Sequence, residues 1–299
     1  MILILLVTAL AIAGLGLSTY LISAAARSGQ LNPKAEGLAL GAVTNFFDTL
    51  GIGSFAPTIA WLRFRRLVDD RLIPLTMLSG YTIPSIVQGV IFLILLGVQV
   101  DPWLLLACMI AMVAGGYAGV PIAARAPIRL VQAIVGGALI VAAFFYVLSN
   151  LGLMPAGGTA TSLPLTLSVV TVAAHFVFGV LLSFGVGNYA PTLAMLSLMG
   201  MDPRLAFPIM AAAAGFAGTT AAARCIRTVK LDLRLVLGLT IGAIPAVLIA
   251  AFIVKEMPLT MLRWLVVVVV TYAGVTLLAT AARRIKLVPD DAAQTAITD

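Results

Sequence analysis

Charged residues are scarce in this chain, at 10% of its 299 residues, whereas 62% are hydrophobic. A soluble domain carries about 25% charged residues. A chain with so few charges cannot cover a surface that faces water, so most of it must lie in lipid. Its apolar runs are continuous rather than alternating, which disfavours a transmembrane β-barrel. The composition therefore predicts an all-α polytopic membrane protein, a single membrane domain over 1–299 with no soluble catalytic domain.

Cysteine and histidine are almost missing as well. The two cysteines, Cys108 and Cys225, lie in unrelated segments and offer neither a disulfide framework nor the spacing of metal ligands. The chain has no GxxxxGK motif followed by Ser or Thr that would bind ATP. We therefore expect no metal and no cofactor. The net charge of +7 is better explained by lysines and arginines that orient membrane helices than by binding to nucleic acid.

One motif of 13 residues occurs twice, 134 positions apart, at 50–62 and at 184–196, with 7 identical positions. Each copy contains a GxG pair followed by a proline, Pro57 in the first and Pro191 in the second. A segment this rich in glycine and proline is not a comfortable continuous helix. We interpret each copy as a helix break at membrane depth, with the proline as part of the break.

Seven other apolar segments have about the 20 residues that a membrane crossing needs. They lie at 2–24, 72–97, 102–124, 127–149, 205–223, 235–254 and 259–281. The two segments that contain the breaks, 36–62 and 164–199, either cross the membrane or enter it and return on the same side. The arm 164–183 is long enough to cross alone, whereas 36–50 is shorter.

The positive residues favour entry and return for both broken segments. If both segments cross, the 18 lysines and arginines divide evenly between the two sides, whereas if both are re-entrant, 15 fall on one side and 3 on the other. A strong bias is typical of cytoplasmic loops, so we expect the N-terminus outside and the C-terminus in the cytoplasm.

The re-entrant arrangement makes the two halves of the chain inverted repeats. Each repeat is a re-entrant broken helix followed by three transmembrane helices, which is the architecture of many secondary transporters. The predicted parts are an extra N-terminal helix at 2–24, repeat 1 at 36–149, a linker at 150–163, repeat 2 at 164–281 and a polar tail at 287–299.

Both breaks carry residues suited to begin a helix. Ser54 and Asn188 are favoured N-cap residues at matched positions, and a proline follows in each first turn. Two helix N-termini at membrane depth, each with roughly half a positive charge, would bind a small anion. The alternative is that the glycines only permit close helix packing. The predicted substrate-binding residues are Gly51, Gly53, Ser54, Phe55, Gly185, Gly187, Asn188 and Tyr189.

Two ionisable residues, Asp48 and His175, lie within the membrane segments that lead into the breaks. Such residues are costly in lipid and suggest proton coupling, so both are proton-coupling candidates. Alternatively, Asp48 hydrogen-bonds to the broken backbone and His175 is a packing residue. Several polar residues could line the cavity or join neighbouring helices, namely Asn45, Thr49, Ser79, Gln88 and Ser183.

The stretches 44–57 and 184–191 resemble the paired signatures of the TauE/SafE family of membrane proteins, also called the sulfite-exporter or TSUP family. The resemblance covers 36 to about 281 and rests chiefly on the two motifs. It implies a transporter of the bacterial inner membrane that exports a small anion, such as sulfite or an organosulfonate, coupled to protons. The family motif usually has another glycine where this chain has Ser54 and Asn188, which could change the anion that is accepted.

Two other functions are compatible with the sequence. A passive anion channel would use the same breaks without coupling. An intramembrane serine hydrolase would use Ser54 with His175, but the matched residues are Asn188 and Gly41, so that pair is not part of the repeated design. We expect a transporter and not an enzyme, with alternating access around the breaks and with the anion, protons and the lipid bilayer as its partners.

Overall fold

The computed structural model describes residues 2–69, 72–96, 100–123, 128–152, 158–182 and 187–283. Within these ranges the chain forms eleven α-helices and no β-strand. The helices are α1 (Ile2–Arg27), α2 (Ala35–Thr49), α3 (Phe55–Phe64), α4 (Ile73–Leu96), α5 (Pro102–Ala123), α6 (Ile128–Asn150), α7 (Leu165–Leu182), α8 (Tyr189–Leu198), α9 (Pro203–Thr228), α10 (Leu233–Glu256) and α11 (Leu259–Arg283). The predicted tail, 287–299, and part of the predicted linker lie outside the described residues.

Eight of these helices are long and apolar enough to cross a membrane. Seven of them, α1, α4, α5, α6, α9, α10 and α11, coincide with the seven segments predicted as crossings, and the eighth is α7. The prediction of a polytopic helical membrane protein is therefore confirmed. The helices α2, α3 and α8 are shorter, with 15, 10 and 10 residues.

Both broken segments are interrupted near the repeated motif. In the first, α2 ends at Thr49 and α3 begins at Phe55; in the second, α7 ends at Leu182 and α8 begins at Tyr189. Gly51 and Gly53 have φ angles of +93° and +90°. Glycine adopts this backbone conformation at no steric cost, which explains why the first break needs both of them.

Each short helix returns alongside the arm that precedes it. In the first half, Glu36 Oε1 at the start of α2 accepts hydrogen bonds from Trp61 Nε1 at 3.0 Å and Arg65 Nε at 2.8 Å, at the end of α3. In the second half, Thr171 Oγ1 in α7 lies 3.5 Å from Met199 Sδ, which follows the end of α8. The pairs α2–α3 and α7–α8 are therefore helical hairpins.

The most extensive helix contacts join one half of the chain to the other. They are α2–α10, α4–α9, α5–α7 and α6–α11. The helices α2 to α6 can be matched in order with α7 to α11. When each helix is replaced by its match, α2–α10 becomes α7–α5, and α4–α9 and α6–α11 each become the same pair again. The main packing is therefore symmetric between the halves, and α1 is the one described helix without a counterpart.

The matched helices α4 and α9 run in opposite directions. Their opposing positions are Thr82 with Gly218, Ile86 with Gly215, and Ala212 with Gly89. The order rises along one helix and falls along the other, as in an antiparallel pair. The apolar core that these two helices help to form also includes Tyr189 and Leu193 of α8, so the second break is held at the centre of the bundle.

Candidate functional site

The first break is closed by the side chain of Asp48. Its Oδ1 accepts a hydrogen bond of 2.7 Å from the backbone N–H of Ser54, and only 7% of the residue is exposed. The first N–H groups of a helix have no partner within the helix and carry its positive dipole end. The carboxylate therefore occupies the position at the start of α3 where a free anion would bind. One of the two roles that the sequence allowed for Asp48, bonding to the broken backbone, is present.

Ser54 and Asn188 occupy the N-cap positions of α3 and α8, as predicted, but neither side chain makes a capping hydrogen bond. The expectation that these side chains cap their helices is therefore wrong. Asn188 instead donates from Nδ2 to the carbonyl of Met210 in α9, at 3.1 Å. The residue matched to Asp48 is Leu182, so the second break has no carboxylate at the corresponding position.

Tyr81 of α4 joins three helices beside the first break. Its hydroxyl lies 2.9 Å from Thr44 Oγ1 in α2 and 2.8 Å from Thr58 Oγ1 in α3. It is also close enough to Asp48 for the two groups to interact electrostatically. The sequence analysis does not identify Tyr81, because it lies outside the motif and its matched residue is Gly215.

Tyr189, the first residue of α8, reaches from the second break to α4. Its hydroxyl donates to Gln88 Oε1 at 3.1 Å, and it interacts electrostatically with Asp48. Gln88 is fully buried, and its Nε2 has no hydrogen-bond partner among the described residues. A buried amide N–H without a partner is costly and calls for an explanation. Gln88, one of the polar residues that the sequence offered for this cavity, is therefore hydrogen-bonded to a residue of the motif.

The two breaks lie near each other. A methyl group on Gly51 would lie 3.3 Å from Leu193 Cδ2 in α8 and 3.7 Å from Val269 in α11. The first break therefore packs against the helix that follows the second. Tyr81 and Tyr189, one beside each break, both lie within range of the charge of the Asp48 carboxylate.

The second glycine of each motif, Gly53 or Gly187, lies away from other described atoms. A methyl group on Gly53 or on Gly187 would meet no described atom within 4 Å. A methyl group on Gly41 or on Gly179 would instead overlap a backbone carbonyl of the facing helix. Close helix packing thus explains Gly41 and Gly179 but not the second glycine of each motif. At Gly53 and Gly187 the backbone is accessible to a small ligand.

Other motif residues are placed less symmetrically. Phe55 is 37% exposed, whereas Tyr189 at the matched position is 8% exposed. Pro57 and Pro191 lie in the first turns of α3 and α8, where the absent N–H costs little. Gly185 and Ser183 lie outside the described residues, so the predictions for them have no structural counterpart.

His175 is fully buried in α7, and its Nδ1 lies 2.8 Å from the carbonyl of Thr171 in the same helix. Its Nε2 has no partner among the described residues. No hydrogen bond in the described part of the chain joins His175 to Ser54 or to another residue of the breaks. Ser54 and His175 are therefore not hydrogen-bonded to each other in this structure.

Two polar residues before the first break bond within their own helix. Asn45 Nδ2 donates to the carbonyl of Gly41 and Thr49 Oγ1 to the carbonyl of Asn45.

At the open end of the hairpin that α2 and α3 form, the Arg65 guanidinium hydrogen-bonds to Glu36 and lowers the pKa of that carboxyl. No group of three or more metal-ligating residues occurs in the described ranges.

No family model, no curated protein and no solved structure matches this chain.

Proposed function

We propose that this protein is a secondary transporter of a small anion that binds between the two helix breaks. The observation that carries the proposal is the accessible backbone at Gly53 and Gly187, beside two helix starts that approach each other inside a helical membrane protein. Helix N-termini bind anions through free N–H groups and the helix dipole. Discontinuous helices with such ends line the substrate sites of many secondary transporters.

The proposed architecture is a pair of inverted repeats, each beginning with a re-entrant hairpin. The symmetric contacts between halves and the antiparallel packing of α4 with α9 support the inversion. The contact of Glu36 with Arg65 supports re-entry of the first segment, because it joins the start of α2 to the end of α3. In the second segment, the N–H of Ala160 before α7 donates to the carbonyl of Gly200 after α8, at 3.2 Å, which supports re-entry in the same way. The 18 residues of α7 would suffice for a crossing, but its return contact favours the hairpin.

The proposed location is the bacterial inner membrane, with the N-terminus outside. With both hairpins re-entrant, 15 of the 18 lysines and arginines share one side, as cytoplasmic loops do. Contacts between loops support this grouping. Lys34 forms an ion pair with Asp232, and Arg234 Nε donates to the carbonyl of Asn32, so the loops after α1 and after α9 meet on that side.

Alternating access is supported by a difference between the two short helices. Most of α8 is buried, from Tyr189 to Ser197, and it packs on α6, α9 and α11. In α3, Trp61 and Phe64 are 42% and 80% exposed, and its main contacts are with α2 and α4. In a symmetric carrier, matched elements that differ in this way belong to one of two alternating states. We assign this conformation to the alternating-access state in which α3 is loosely packed and α8 is tightly packed.

Proton coupling is proposed through Asp48. Its carboxylate competes with a substrate anion for the start of α3, because both would accept the Ser54 N–H. Protonation removes the negative charge, weakens the hold of Asp48 on the helix and admits the anion. A proton and an anion would thus be carried together. His175 remains the second coupling candidate, with its Nε2 available for a proton.

The proposed cargo is sulfite or a short organosulfonate, and the proposed family is TauE/SafE. Both rest on the motif residues 44–57 and 184–191. The buried donor Gln88 Nε2 supports an oxyanion as cargo, since it has no acceptor among the described residues. We propose no enzymatic activity, and absence of Ser54-dependent labelling by a serine-directed covalent probe would agree with this.

Flux in proteoliposomes tests the proposal. Uptake of sulfite and of a short organosulfonate is measured with and without an imposed pH gradient, for the parent protein, Asp48→Asn and Asp101→Asn. Asp101 is the matched control, because its Oδ1 also accepts a backbone N–H at a helix start, from Trp103 at 2.9 Å, but outside the breaks. We expect uphill accumulation by the parent and by Asp101→Asn, and accumulation at the level of protein-free liposomes for Asp48→Asn.

Each other outcome contradicts a different part of the proposal. Uphill accumulation that survives Asp48→Asn would assign Asp48 to structure alone. Downhill flux without accumulation in the parent would identify a passive channel. Absence of flux for both anions would refute the proposed cargo.

A further inference from the structure

A cavity of about 350 Å³ lies between the ends of α1 and α9. It lies at the C-terminal ends of these two helices, away from the breaks. The loops that follow α1 and α9 meet on this side of the bundle. Its volume falls in the range of roughly 300–1,000 Å³ that small-molecule sites occupy. Its lining residues are Tyr20, Ser23, Ala24, Arg27, Ser28, Ile226 and Arg227.

The cavity concentrates positive charge without a balancing acid. Arg27 and Arg227 both line it, and none of the seven lining residues is acidic. Neither guanidinium forms an ion pair or a hydrogen bond with a described residue. The hydroxyl of Tyr20 is likewise without a hydrogen-bond partner in the described ranges. Two guanidinium groups, which are donors without acceptors, and a hydroxyl that can also donate match the acceptor oxygens of a phosphate group.

The cavity adjoins an apolar helix surface of the kind that faces lipid. α1 is the helix without a counterpart in the other half, and it lies at the edge of the bundle. Its apolar side chains are strongly exposed along its whole length, at Ile4, Leu5, Ile12, Leu15 and Ile22. Ile22, 52% exposed, adjoins the cavity residue Ser23. An acyl chain could therefore follow α1 while a headgroup lies at its end.

We propose that this cavity binds the phosphate headgroup of an anionic phospholipid, with Arg27 and Arg227 as the phosphate-binding residues. Basic pockets between transmembrane helices on the cytoplasmic side bind anionic headgroups in this way. Arginines near a helix C-terminus also complement the helix dipole and orient a membrane protein, but neither role requires two of them in one cavity. The site is independent of the proposed transport function, because it shares no residue with the breaks.

Lipid-dependent stability tests the site. The parent in neutral detergent is titrated with phosphatidylglycerol, phosphatidylcholine or inorganic phosphate, and unfolding is followed by tryptophan fluorescence. We expect phosphatidylglycerol alone to raise Tm. In Arg27→Gln and in Arg227→Gln, the concentration needed for half the shift should rise about tenfold, since a hydrogen bond to a charged group is worth about 1.5 kcal/mol or more. The double variant should show no shift.

Arg224→Gln is the matched control, because Arg224 is an exposed arginine of the same helix that does not line the cavity. It should respond to phosphatidylglycerol like the parent. Arg27→Lys combined with Arg227→Lys keeps the charge and should retain a weakened response. Native mass spectrometry should count one retained anionic lipid on the parent and none on the double Gln variant.

Three results would overturn the proposal. The first is an equal Tm shift with inorganic phosphate, which would identify a free anion as the ligand. The second is a loss in Arg224→Gln as large as in the double variant, which would reduce the effect to the general charge of this side. The third is an unchanged response of the double variant.

Discussion

At the scale of single residues, the site depends on hydrogen bonds that cross between helices. Asp48 reaches over the break to Ser54, and Tyr81 holds Thr44 and Thr58 together from a third helix. Both threonine hydroxyls also lie within hydrogen-bonding distance of carbonyls of their own helices, Thr44 to Leu40 and Thr58 to Ser54. The Tyr81 hydroxyl, which lies on a third helix, therefore joins α2 to α3 in addition to the bond of Asp48 with Ser54.

Tyr81→Phe should loosen this connection. The change removes one hydroxyl and keeps the ring, so we expect a loss of about 1 kcal/mol in the free energy of unfolding. Anion uptake should also slow, because α3 is then held less firmly. Tyr117→Phe, at a residue 68% exposed, should leave both quantities unchanged. A denaturant titration and the flux assay measure the two effects, and equal results for both variants would contradict a role for the Tyr81 hydroxyl.

Residue chemistry was only partly predictable from the sequence. Asp48 stands out because an acid in an apolar segment is costly unless it is used. The failure of Ser54 and Asn188 to cap their helices could not be foreseen, since capping depends on rotamer and neighbours rather than residue type. Tyr81 and Gln88 have no signal in the repeat, because their matched residues are Gly215 and Ala222.

At the scale of helices, glycines do two different things. In α2 and α7, Gly41 and Gly179 allow another helix to approach to backbone contact. In the breaks, Gly51 and Gly53 supply positive φ angles. The sequence predicted the breaks from glycine and proline together, but it could not separate the packing glycines from the others, because that distinction depends on the facing helix.

Gly41→Ala should be strongly destabilising. The added methyl group would overlap the backbone of Leu239, which cannot move aside as a flexible side chain can. We expect a loss of about 2–3 kcal/mol in the free energy of unfolding. Gly16→Ala in α1 is the control, because its methyl group would meet no described atom within 4 Å. That variant should be neutral or up to about 1 kcal/mol more stable, since alanine is the better helix former.

Denaturant titrations of Gly41→Ala and Gly16→Ala measure the two changes in the free energy of unfolding. Similar stability of Gly41→Ala and the parent would mean that α2 and α10 can separate at no cost.

The eight long apolar helices were predictable from length and hydropathy. The course of the second hairpin was less so, because α7 has both the length of a crossing and a return contact through Thr171.

At the scale of the whole molecule, the two halves share their main contacts but differ in how their short helices are packed. α8 is enclosed and α3 is partly exposed. If the halves exchange roles during transport, α3 should become enclosed and α8 should loosen. The matched contacts then predict that α3 moves toward α6, as α8 now packs on α11.

Spin labels test this exchange in a background without the two cysteines. One pair is placed at Phe64 and Leu130, and the matched pair at Leu198 and Trp264, all exposed residues. Electron–electron distance measurements should show the first distance shortening and the second lengthening when anion and low pH are supplied together. Distances that change in the same direction would contradict an exchange of roles.

The contact pattern also has a consequence for biosynthesis. All four of the most extensive helix pairs cross from one half to the other. The helices of the first half are therefore synthesised before the helices on which they pack. The hairpin of α2 and α3 lacks its main contacts until the second half has been inserted into the membrane. The proposed inverted repeats would correspond to an antiparallel dimer within one chain, with α4 against α9 at its two-fold interface. Each half, expressed alone, should be a target for quality-control proteolysis, and co-expression of the two should restore the assembly.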